Sequence, residues 1–412
     1  MRIGINAQLF PNSGWGGVEQ FLTGLISALG KLDGAEEYVV IGHRKQGKWL
    51  RPYLGANQQL VAGPSSIRTA FVEALGPLGK SVYEFQKKMR NVRQRVSPQV
   101  PESNGFFESL GLDVIHFPYQ TLARCDLPFI FNPHDLQHIH FPQFFPKEEL
   151  ARRETIYRLG CRHARAVVAD SRWVKTDLIR HYGVDPQRVF AIPMAPPPEL
   201  YRATTDRDAE DVKRKFDLPE TFALYPAHTW QHKNHLRLLE AIALLRDRDG
   251  IPLNLICTGK QNDFWRTIAR RIRELRLEQQ TRFLGFVKPD ELRALYRLAQ
   301  FVIHPSLFEG GGLPVLEAFR AGVPVACSNV TSLPEYAGHA ALLFDPTDVA
   351  SIADALRQMA TNVALREELR QRGSERIRLF TWERTAKMYR ALYRQVAGVP
   401  LSEEDSALLA EA

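Results

Sequence analysis

A regular alternation between short apolar runs and longer amphipathic stretches most constrains how this chain can fold. The apolar runs have the length of buried strands, and the stretches between them have the period of helices, about 3.6 residues. The runs cover residues 3–7, 38–42, 114–117, 129–132 and 167–169, and then 222–225, 253–257, 282–284, 301–304 and 323–327. Because strands that alternate with helices form parallel sheets, the pattern predicts an α/β protein with two doubly wound units.

The boundary between the two units is predicted at residues 192–198, where four prolines interrupt both periods. The 412 residues exceed what one hydrophobic core usually supports, which favours domains at residues 1–198 and 199–380. Ligands bind preferentially between domains, so the cleft between the two units is the expected site. The tail, residues 401–412, is acidic and rich in small residues, and we expect it to be flexible.

Composition and charge narrow the class of protein. The four cysteines are widely spaced and include no CxxC pair, which argues against a zinc site or a disulfide framework and favours a reducing cytoplasm. No apolar run approaches the roughly 18 residues of a membrane span, and the N-terminus reads as a strand, so we expect neither secretion nor membrane insertion. The net charge of +8 suits a nucleotide sugar, a lipid phosphate, a membrane surface or nucleic acid, although excess arginine can also serve solubility alone.

The most informative segment, residues 304–317, reads HPSLFEGGGLPVLE. It leads from a strand through three glycines, Gly310, Gly311 and Gly312, into a helix that has a proline in its first turn. Backbone amides exposed at such a helix N-terminus bind phosphate. Glu309 precedes the glycines and Glu317 lies about one turn into the helix. Both carboxylates can therefore accept hydrogen bonds from the hydroxyls of a sugar ligand. In the alternative interpretation, Glu317 only caps the first turn and Glu309 is a solvated loop residue.

Glu309 and Glu317 are separated by seven residues, and this spacing resembles the E-x7-E motif of family 4 glycosyltransferases. The flanking sequence strengthens the resemblance: FLGFV at 283–287, PS at 305–306, AGVPV at 321–325, SLPE at 332–335 and FDP at 344–346. The resemblance implies the GT-B fold, in which two Rossmann-like domains face a cleft and a C-terminal helix, here residues 381–400, crosses back to the first domain. It also implies transfer of a sugar with retention of its anomeric configuration.

The resemblance assigns roles to residues of the second domain. It implies that Glu317 holds the ribose hydroxyls, that Glu309 lies beside the donor sugar, and that the glycines and Leu313 meet the sugar or phosphate. The backbone around Phe286 and Val287 is expected to contact the nucleobase. SLPE at 332–335 also fits an ordinary capping box, which is the interpretation we prefer for it.

A basic segment after the first strand of the second domain departs from the family pattern. The family normally clamps the diphosphate with an arginine and a lysine five residues apart. Lys233 matches the lysine, but His228 stands at the arginine position. A histidine is only partly charged near neutrality and lacks the guanidinium fork, so we expect Lys233 to carry most of the diphosphate charge.

In the first domain, Gly16 and Gly17 follow the opening strand, and the resemblance makes them donor-side contacts, although a tight strand-to-helix turn explains them equally well. Their spacing is not GxGxxG, which argues against a nicotinamide site. His134 and Asp135 resemble the family's His-Asp pair, in which the histidine faces the donor sugar. His138 and His140 are expected to be packing or surface residues, because HExxH is absent from the sequence and a third ligand is not evident.

The acceptor side is expected around an amphipathic segment with six basic residues between Lys80 and Arg95 and one acid, Glu84. Such a helix can lie on an anionic membrane, or dock on its own domain with a solvated basic face. The DxD pairs at 206–208 and 247–249 do not follow predicted strands. We therefore expect no cofactor and no essential metal.

The resemblance and the residues together predict a cytoplasmic retaining hexosyltransferase, either free or peripheral at the inner membrane face. It is expected to use a nucleoside diphosphate sugar and a glycan or lipid-linked acceptor in cell-envelope polysaccharide synthesis. GDP-mannose is the first candidate donor, and nucleic acid is not an expected partner. The alternatives are an inverting transferase or nucleotide-sugar epimerase with His134 as base, and a non-catalytic homologue, which the histidine at position 228 suggests.

Overall fold

The computed structural model of the protein describes residues 1–9, 17–64, 100–198 and 203–412. Within these ranges the strands form two sheets, one in each half of the chain. The strands of the first half are β1 (Arg2–Ala7), β2 (Glu37–Gly42), β3 (Gln58–Ala62), β4 (Val114–Phe117), β5 (Phe129–His134), β6 (Ala166–Ala169) and β7 (Val189–Ala191). Its helices are α1 (Gly17–Leu29), α2 (Gln137–His140), α3 (Lys147–His163) and α4 (Arg172–Tyr182).

The second half repeats this design. Its strands are β8 (Ala223–Pro226), β9 (Leu255–Thr258), β10 (Thr281–Phe283), β11 (Phe301–His304), β12 (Val325–Ser328) and β13 (Ala341–Phe344). Its helices are α5 (Asp206–Lys215), α6 (His235–Asp249), α7 (Trp265–Glu274), α8 (Pro289–Leu298), α9 (Leu313–Arg320), α10 (Leu333–Ala337), α11 (Val349–Thr361) and α12 (Val363–Arg376). Two further helices follow, α13 (Trp382–Val396) and α14 (Glu403–Ala410).

Both sheets wind in the same way. The order among the described strands is β3-β2-β1-β4-β5-β6-β7 in the first sheet and β10-β9-β8-β11-β12-β13 in the second, with parallel pairing. The winding reverses between β1 and β4 and again between β8 and β11. Ligands of open α/β sheets bind at the carboxyl ends of such reversal points. The predicted doubly wound α/β fold is confirmed, and the fold directs attention to the loops after β8 and β11.

Apart from β10, the strands predicted from the sequence are interior strands, whose residues are largely apolar because helices cover both faces of the sheet. All residues of β4 and β11 are buried, for example. The sequence does not predict β3, β7 and β13, which lie at edges of the two sheets. Only β3, which reads QQLVA and is largely half-exposed, lacks an apolar run; β7 (VFA) and β13 (ALLF) are short apolar runs that the pattern does not single out.

The helix α13 returns to the first domain, as predicted. Trp382 donates its indole N–H to the carbonyl oxygen of Pro196 at 2.7 Å. Buried between α13 and the first sheet, His116 Nδ1 lies 2.8 Å from the hydroxyl of Tyr393, and Nε2 lies 2.9 Å from Asn132 Oδ1. Burial lowers the pKa of His116 to about 3, so this polar contact is made by a neutral ring. The helix therefore fills part of the core of the first domain.

The expectation of a flexible tail at 401–412 is wrong. Ser402 and Asp405 form a capping box at the start of α14, and Asp405 also accepts from Arg394 of α13 at 2.8 Å. The carbonyl oxygen of Ala412 accepts from the backbone N–H of Ala191 at 2.7 Å, so the tail is tied to the edge strand β7. Its acidic residues give helix caps and ion pairs instead of disorder, because Arg394 is available beside them.

Gly16 and the basic segment at 80–95 lie outside the described residues, and their predicted roles remain predictions. Within the residues described, no helix is both long and apolar enough to cross a membrane.

Candidate functional site

The winding reversal of the second sheet brings Lys233 and Glu309 together. Lys233 lies in the loop that follows β8, and Glu309 lies in the loop that follows the neighbouring strand β11. Lys233 Nζ is 2.6 Å from Glu309 Oε1, and the two side chains are 16% and 11% exposed. Two residues that are 76 positions apart in the sequence therefore form an ion pair at the place where the fold is expected to bind a ligand.

Glu309 is held by several neighbours. His304 Nε2 lies 2.9 Å from the same carboxylate oxygen that Lys233 contacts. The backbone N–H of Glu309 donates to the Thr331 hydroxyl, and its carbonyl oxygen accepts from the Ser332 hydroxyl at 2.9 Å. Burial alone raises the pKa of Glu309, but the charge of Lys233 and the hydrogen bond from His304 outweigh it and hold the pKa well below its usual range. Glu309 is thus a fixed carboxylate and not a solvated loop residue.

The backbone around Lys233 is fixed as well. The hydroxyl of Tyr225, on β8, donates to the Lys233 carbonyl oxygen at 2.5 Å. The next residue, Asn234, has a left-handed backbone with φ of 60° and donates from its side chain to the carbonyl oxygens of Pro305 and Pro346 at 3.0 and 2.8 Å. These bonds tie the β8 loop to the β11 loop, and so they set the position of the Lys233 ammonium.

His228 is a neutral histidine. Its Nδ1 accepts from the backbone N–H of Lys260 at 2.7 Å, which leaves the ring proton on Nε2. Burial, followed by the charges of Lys233 and Lys260, lowers the pKa of His228. A hydrogen-bond donor without charge therefore stands where the related family carries an arginine.

Glu317 lies on α9 and is almost fully buried. Its Oε2 accepts from the hydroxyl of Tyr296, on α8, at 2.7 Å. Burial raises the pKa of Glu317 to about 7, and the bond from Tyr296 only partly opposes this effect. The two glutamates of the motif therefore differ in electrostatics: Glu309 stays ionised, whereas Glu317 titrates near neutrality.

The three glycines pack against other parts of the protein. A Cβ atom on Gly310 would lie 2.8 Å from the His134 carbonyl oxygen, and one on Gly312 would lie 2.7 Å from Cβ of Tyr336. A Cβ on Gly311 would lie 2.9 Å from Met194. The loop is therefore glycine-rich partly because it meets the first domain at close range, a reason that its sequence does not reveal. Across the cleft, Gly17 would place a Cβ 3.5 Å from Leu313, so the two domains approach each other at the start of α9.

The backbone of His134 lies at the cleft, beside Gly310, whereas its ring makes hydrogen bonds within the first domain. Nδ1 lies 3.0 Å from a carboxylate oxygen of Asp170, and Nε2 lies 2.8 Å from the Pro118 carbonyl oxygen. Both partners are acceptors, so both ring nitrogens donate. Burial lowers the pKa of His134, but Asp170 and the Pro118 carbonyl more than offset burial and raise it overall. A ring engaged in this way is not available as a general base, which argues against the epimerase alternative.

Phe286 and Val287 follow β10 at the same edge of the second sheet. Phe286 is 72% exposed, whereas Val287 is buried in the core beneath it. The backbone is thus anchored at Val287 and presents an aromatic face at Phe286. The predicted contact with a base can only involve the Phe286 side chain or the backbone, since the Val287 side chain packs inward.

Glu335 joins the two domains, which corrects the capping-box interpretation of residues 332–335. Its carboxylate accepts from the backbone N–H groups of Arg172 and Trp173 at 3.0 and 3.2 Å, at the start of α4 in the first domain. The Ser332 hydroxyl binds the Glu309 carbonyl and not the helix that follows it. Nearby, the Tyr336 hydroxyl donates to the Asp170 carbonyl oxygen at 2.6 Å.

Phe308, directly before Glu309, inserts into an aromatic pocket of the first domain. Its ring centroid lies 5.3 Å from that of His140 and 5.5 Å from that of Trp173. The sequence predicts no role for Phe308 and Asp170 and only a helix-capping role for Glu335, because their contacts join distant parts of the chain. The one sequence signal for Asp170 is its place directly after a predicted strand.

Two family models match the chain. The model described as "Glycosyl transferases group 1" matches residues 206–376, and the model described as "Glycosyltransferase Family 4" matches residues 15–198. O-antigen chain mannosyltransferase B of Escherichia coli is 31% identical over 255 residues, which are 61% of this chain and 66% of that protein. Serotype-specific mannosyltransferase WbdA of Escherichia coli is 29% identical over 317 residues, or 71% of this chain and 36% of that protein. The chain spans only part of the length of these relatives, about a third in the second case.

Solved structures resemble the chain over almost its full length. Sucrose-phosphate synthase from Thermosynechococcus elongatus matches with a TM-score of 0.69 and 19% identity, covering 97% of this chain and 99% of that one. Anabaena HepE, solved in complex with UDP and glucose, matches with a TM-score of 0.67 and 16% identity, covering 96% of this chain and 100% of that one. At these identities the likeness concerns the fold, and it confirms the predicted GT-B arrangement.

Proposed function

Because this chain belongs to family 4 of the glycosyltransferases, we propose that it transfers a hexosyl group from a nucleoside diphosphate sugar to a hydroxyl of a glycan or lipid-linked acceptor. The observation that carries this proposal is the Lys233–Glu309 pair at the winding reversal of the second sheet, with Glu317 about one turn into the following helix, α9. The mannosyltransferases among the relatives favour a mannosyl donor such as GDP-mannose and an acceptor in cell-envelope polysaccharide.

Lys233 acts on the leaving group. As the bond between sugar and diphosphate breaks, negative charge accumulates on the diphosphate, and a preorganised cation next to it lowers the barrier. In the free protein the Lys233 ammonium is neutralised by Glu309, so a bound diphosphate competes with that carboxylate for it. His228 contributes its Nε2–H as a neutral hydrogen-bond donor. Lys233 is therefore the main source of positive charge in the loops after β8 and β11.

Glu309 and Glu317 act on the two ends of the donor. Glu309 remains ionised and lies beside the diphosphate-binding lysine, so it is suited to orient sugar hydroxyls. Glu317, deeper in α9, accepts hydrogen bonds from the ribose hydroxyls. The exposed ring of Phe286 offers an aromatic face on which the nucleobase can stack. Retention of configuration and a transfer step that uses no metal ion belong to the same proposal and rest on the family resemblance.

Donor turnover tests the proposal. The full chain is incubated with GDP-mannose, and separately with UDP-glucose, in the presence of glycan acceptors, and release of nucleoside diphosphate is followed. We expect release with at least one donor, loss of release in Glu309→Gln, and wild-type release in Glu375→Gln, which removes an exposed charge on α12. The anomeric configuration of the product, read by NMR, reports retention.

Two outcomes contradict parts of the proposal separately. An inverted product overturns retention while leaving glycosyl transfer intact. Binding of donors, measured as an increase in melting temperature, without release for any donor and acceptor indicates a non-catalytic sugar-nucleotide-binding protein.

A further inference from the structure

Three side chains of the first domain, His140, Asp177 and His181, come together at a place that the proposed reaction does not use. His140 Nε2 lies 2.8 Å from Asp177 Oδ2, and His181 Nε2 lies 3.3 Å from Asp177 Oδ1. One ligand atom from each residue can be chosen so that all three lie within 4.8 Å of one another. The group shares no residue with the Lys233–Glu309 site.

The fold brings these residues together in a simple way. Asp177 and His181 are separated by four positions on α4, so they lie on the same face of that helix, one turn apart. His140 is the last residue of α2, which packs so that its ring meets the His181 ring at a centroid distance of 5.4 Å and nearly at right angles. Two separate elements therefore contribute ligand atoms that converge on one point.

The burial of Asp177 leaves an electrostatic requirement. Its side chain is only 6% exposed, and its partners among the described residues are the two imidazoles. Burial of a carboxylate is costly unless positive charge compensates it. A neutral imidazole supplies a single N–H, whereas a dication bound by all three side chains compensates the charge in full.

We propose that His140, Asp177 and His181 bind a divalent transition-metal cation of the Zn²⁺ class, in a structural role. Two imidazole nitrogens and one carboxylate oxygen are a ligand set that suits zinc, and the fourth position is left to water, unlike the closed four-ligand shell of most structural zinc sites. Both histidine side chains are 30% exposed, so the ion reaches the site from solvent. Ligand atoms around tetrahedral zinc stand about 3.3 Å apart for bonds of about 2.0 Å. His140 and His181 lie 2.8 and 3.3 Å from different oxygens of Asp177, and one ligand atom from each residue lies within 4.8 Å of the other two, so the side chains draw closer together when the ion binds.

The position of the site gives the ion a consequence for the rest of the protein. His140 forms one wall of the pocket that receives Phe308, with Trp173 of α4 as another wall. An ion that joins α2 to α4 fixes these two walls relative to each other. It thereby stabilises the seat of Phe308, the residue that directly precedes Glu309.

Metal content and metal titration test the proposal on the full chain. The protein is stripped with EDTA, exchanged into chelator-free buffer and titrated with Zn²⁺ and, separately, with Co²⁺, whose visible absorption reports nitrogen and oxygen ligands. We expect one equivalent to bind and the melting temperature to rise on binding. Loss of outer-shell partners weakens metal sites by about 10- to 100-fold, so we expect His181→Ala and His140→Ala to weaken Zn²⁺ binding at least tenfold.

The matched control is His163→Ala, which removes an exposed histidine at the end of α3 and is expected to bind Zn²⁺ like the wild type. Circular dichroism establishes that each variant is folded. If His140→Ala loses its fold because Phe308 packs on that ring, His181→Ala carries the test alone. Equal zinc uptake by the wild type and His181→Ala, or no uptake by the stripped wild type, overturns the proposal and leaves the three side chains as an ion-paired cluster.

Discussion

The Lys233 ammonium and the Glu309 carboxylate, which come from the loops after two adjacent strands, lie 2.6 Å apart in a largely buried pair. Replacement of Lys233 by alanine removes the charge that is proposed to stabilise the leaving diphosphate. Loss of one such group typically costs about 100- to 1,000-fold in kcat, and we expect a loss of this size. Nucleotide release under saturating donor measures this loss. Lys233→Arg keeps the positive charge but replaces the compact ammonium with a planar guanidinium, so it is expected to retain part of the activity. Full activity in Lys233→Ala contradicts the assigned role.

Glu317 gives a prediction about pH. Because burial raises the pKa of Glu317 to about 7, this side chain changes from acid to carboxylate across neutral pH. A carboxylate is the better acceptor for ribose hydroxyls, so we expect the KM for the donor to fall as the pH rises from 6 to about 8. In Glu317→Gln the KM is expected to be higher and to lack this dependence. A wild-type KM that does not vary over that interval contradicts the prediction.

His134 gives a prediction about stability and pH. Its pKa is raised in the folded protein by Asp170 and the Pro118 carbonyl despite burial. The resulting stabilisation is fully present below the ordinary histidine pKa of about 6.5 and is lost as the pH rises through the higher folded value. We expect His134→Gln to lower the free energy of unfolding by about 1–3 kcal/mol at pH 6, and by less at pH 9. Urea denaturation at both pH values measures the difference, and equal losses at pH 6 and pH 9 argue against an ionised ring.

Glu335 is predicted to hold the two domains together. Its carboxylate accepts the first backbone N–H groups of α4, a contact comparable to a helix N-cap. We expect Glu335→Ala to cost about 1 kcal/mol of stability and to increase the radius of gyration measured by small-angle X-ray scattering. Glu375→Ala, an exposed glutamate in the same domain, serves as the control and is expected to change neither quantity. An unchanged radius in Glu335→Ala indicates that the other contacts between the domains suffice.

Gly312 is predicted to tolerate no side chain. A Cβ at this position meets Cβ and Cγ of Tyr336 at 2.7 Å, and overpacking of this kind costs about 1–3 kcal/mol. The corresponding change at Gly17 places a Cβ 3.5 Å from Leu313, which is an ordinary contact, so Gly17→Ala is expected to be neutral for stability. Thermal melting of the two variants measures the contrast, and equal melting temperatures contradict the close packing of the loop.

Much of the fold follows from local pattern, whereas the site follows only in part. Interior strands such as β4 and β11 are fully buried and largely apolar, so their sequences identify them, and the two glutamates of the motif are recognisable by their spacing together with the flanking sequence. Local sequence does not reveal the contacts of Glu335 and Phe308, whose partners lie in the other domain, or the contact of Asp170 with His134, which is 36 positions away in the chain. The same limit applies to the tail, because the sequence does not show that Asp405 pairs with Arg394 in the folded protein.

The return of α13 to the first domain has a consequence for how the protein is made. His116 and Tyr393 are 277 positions apart, yet they share a buried hydrogen bond. Domains generally fold as units during synthesis, with the N-terminal one first. In this protein the core of the first domain is complete only after Trp382, Tyr389 and Tyr393 of α13 have been synthesised. Any chimera that exchanges the first domain with a relative's must therefore exchange this helix with it.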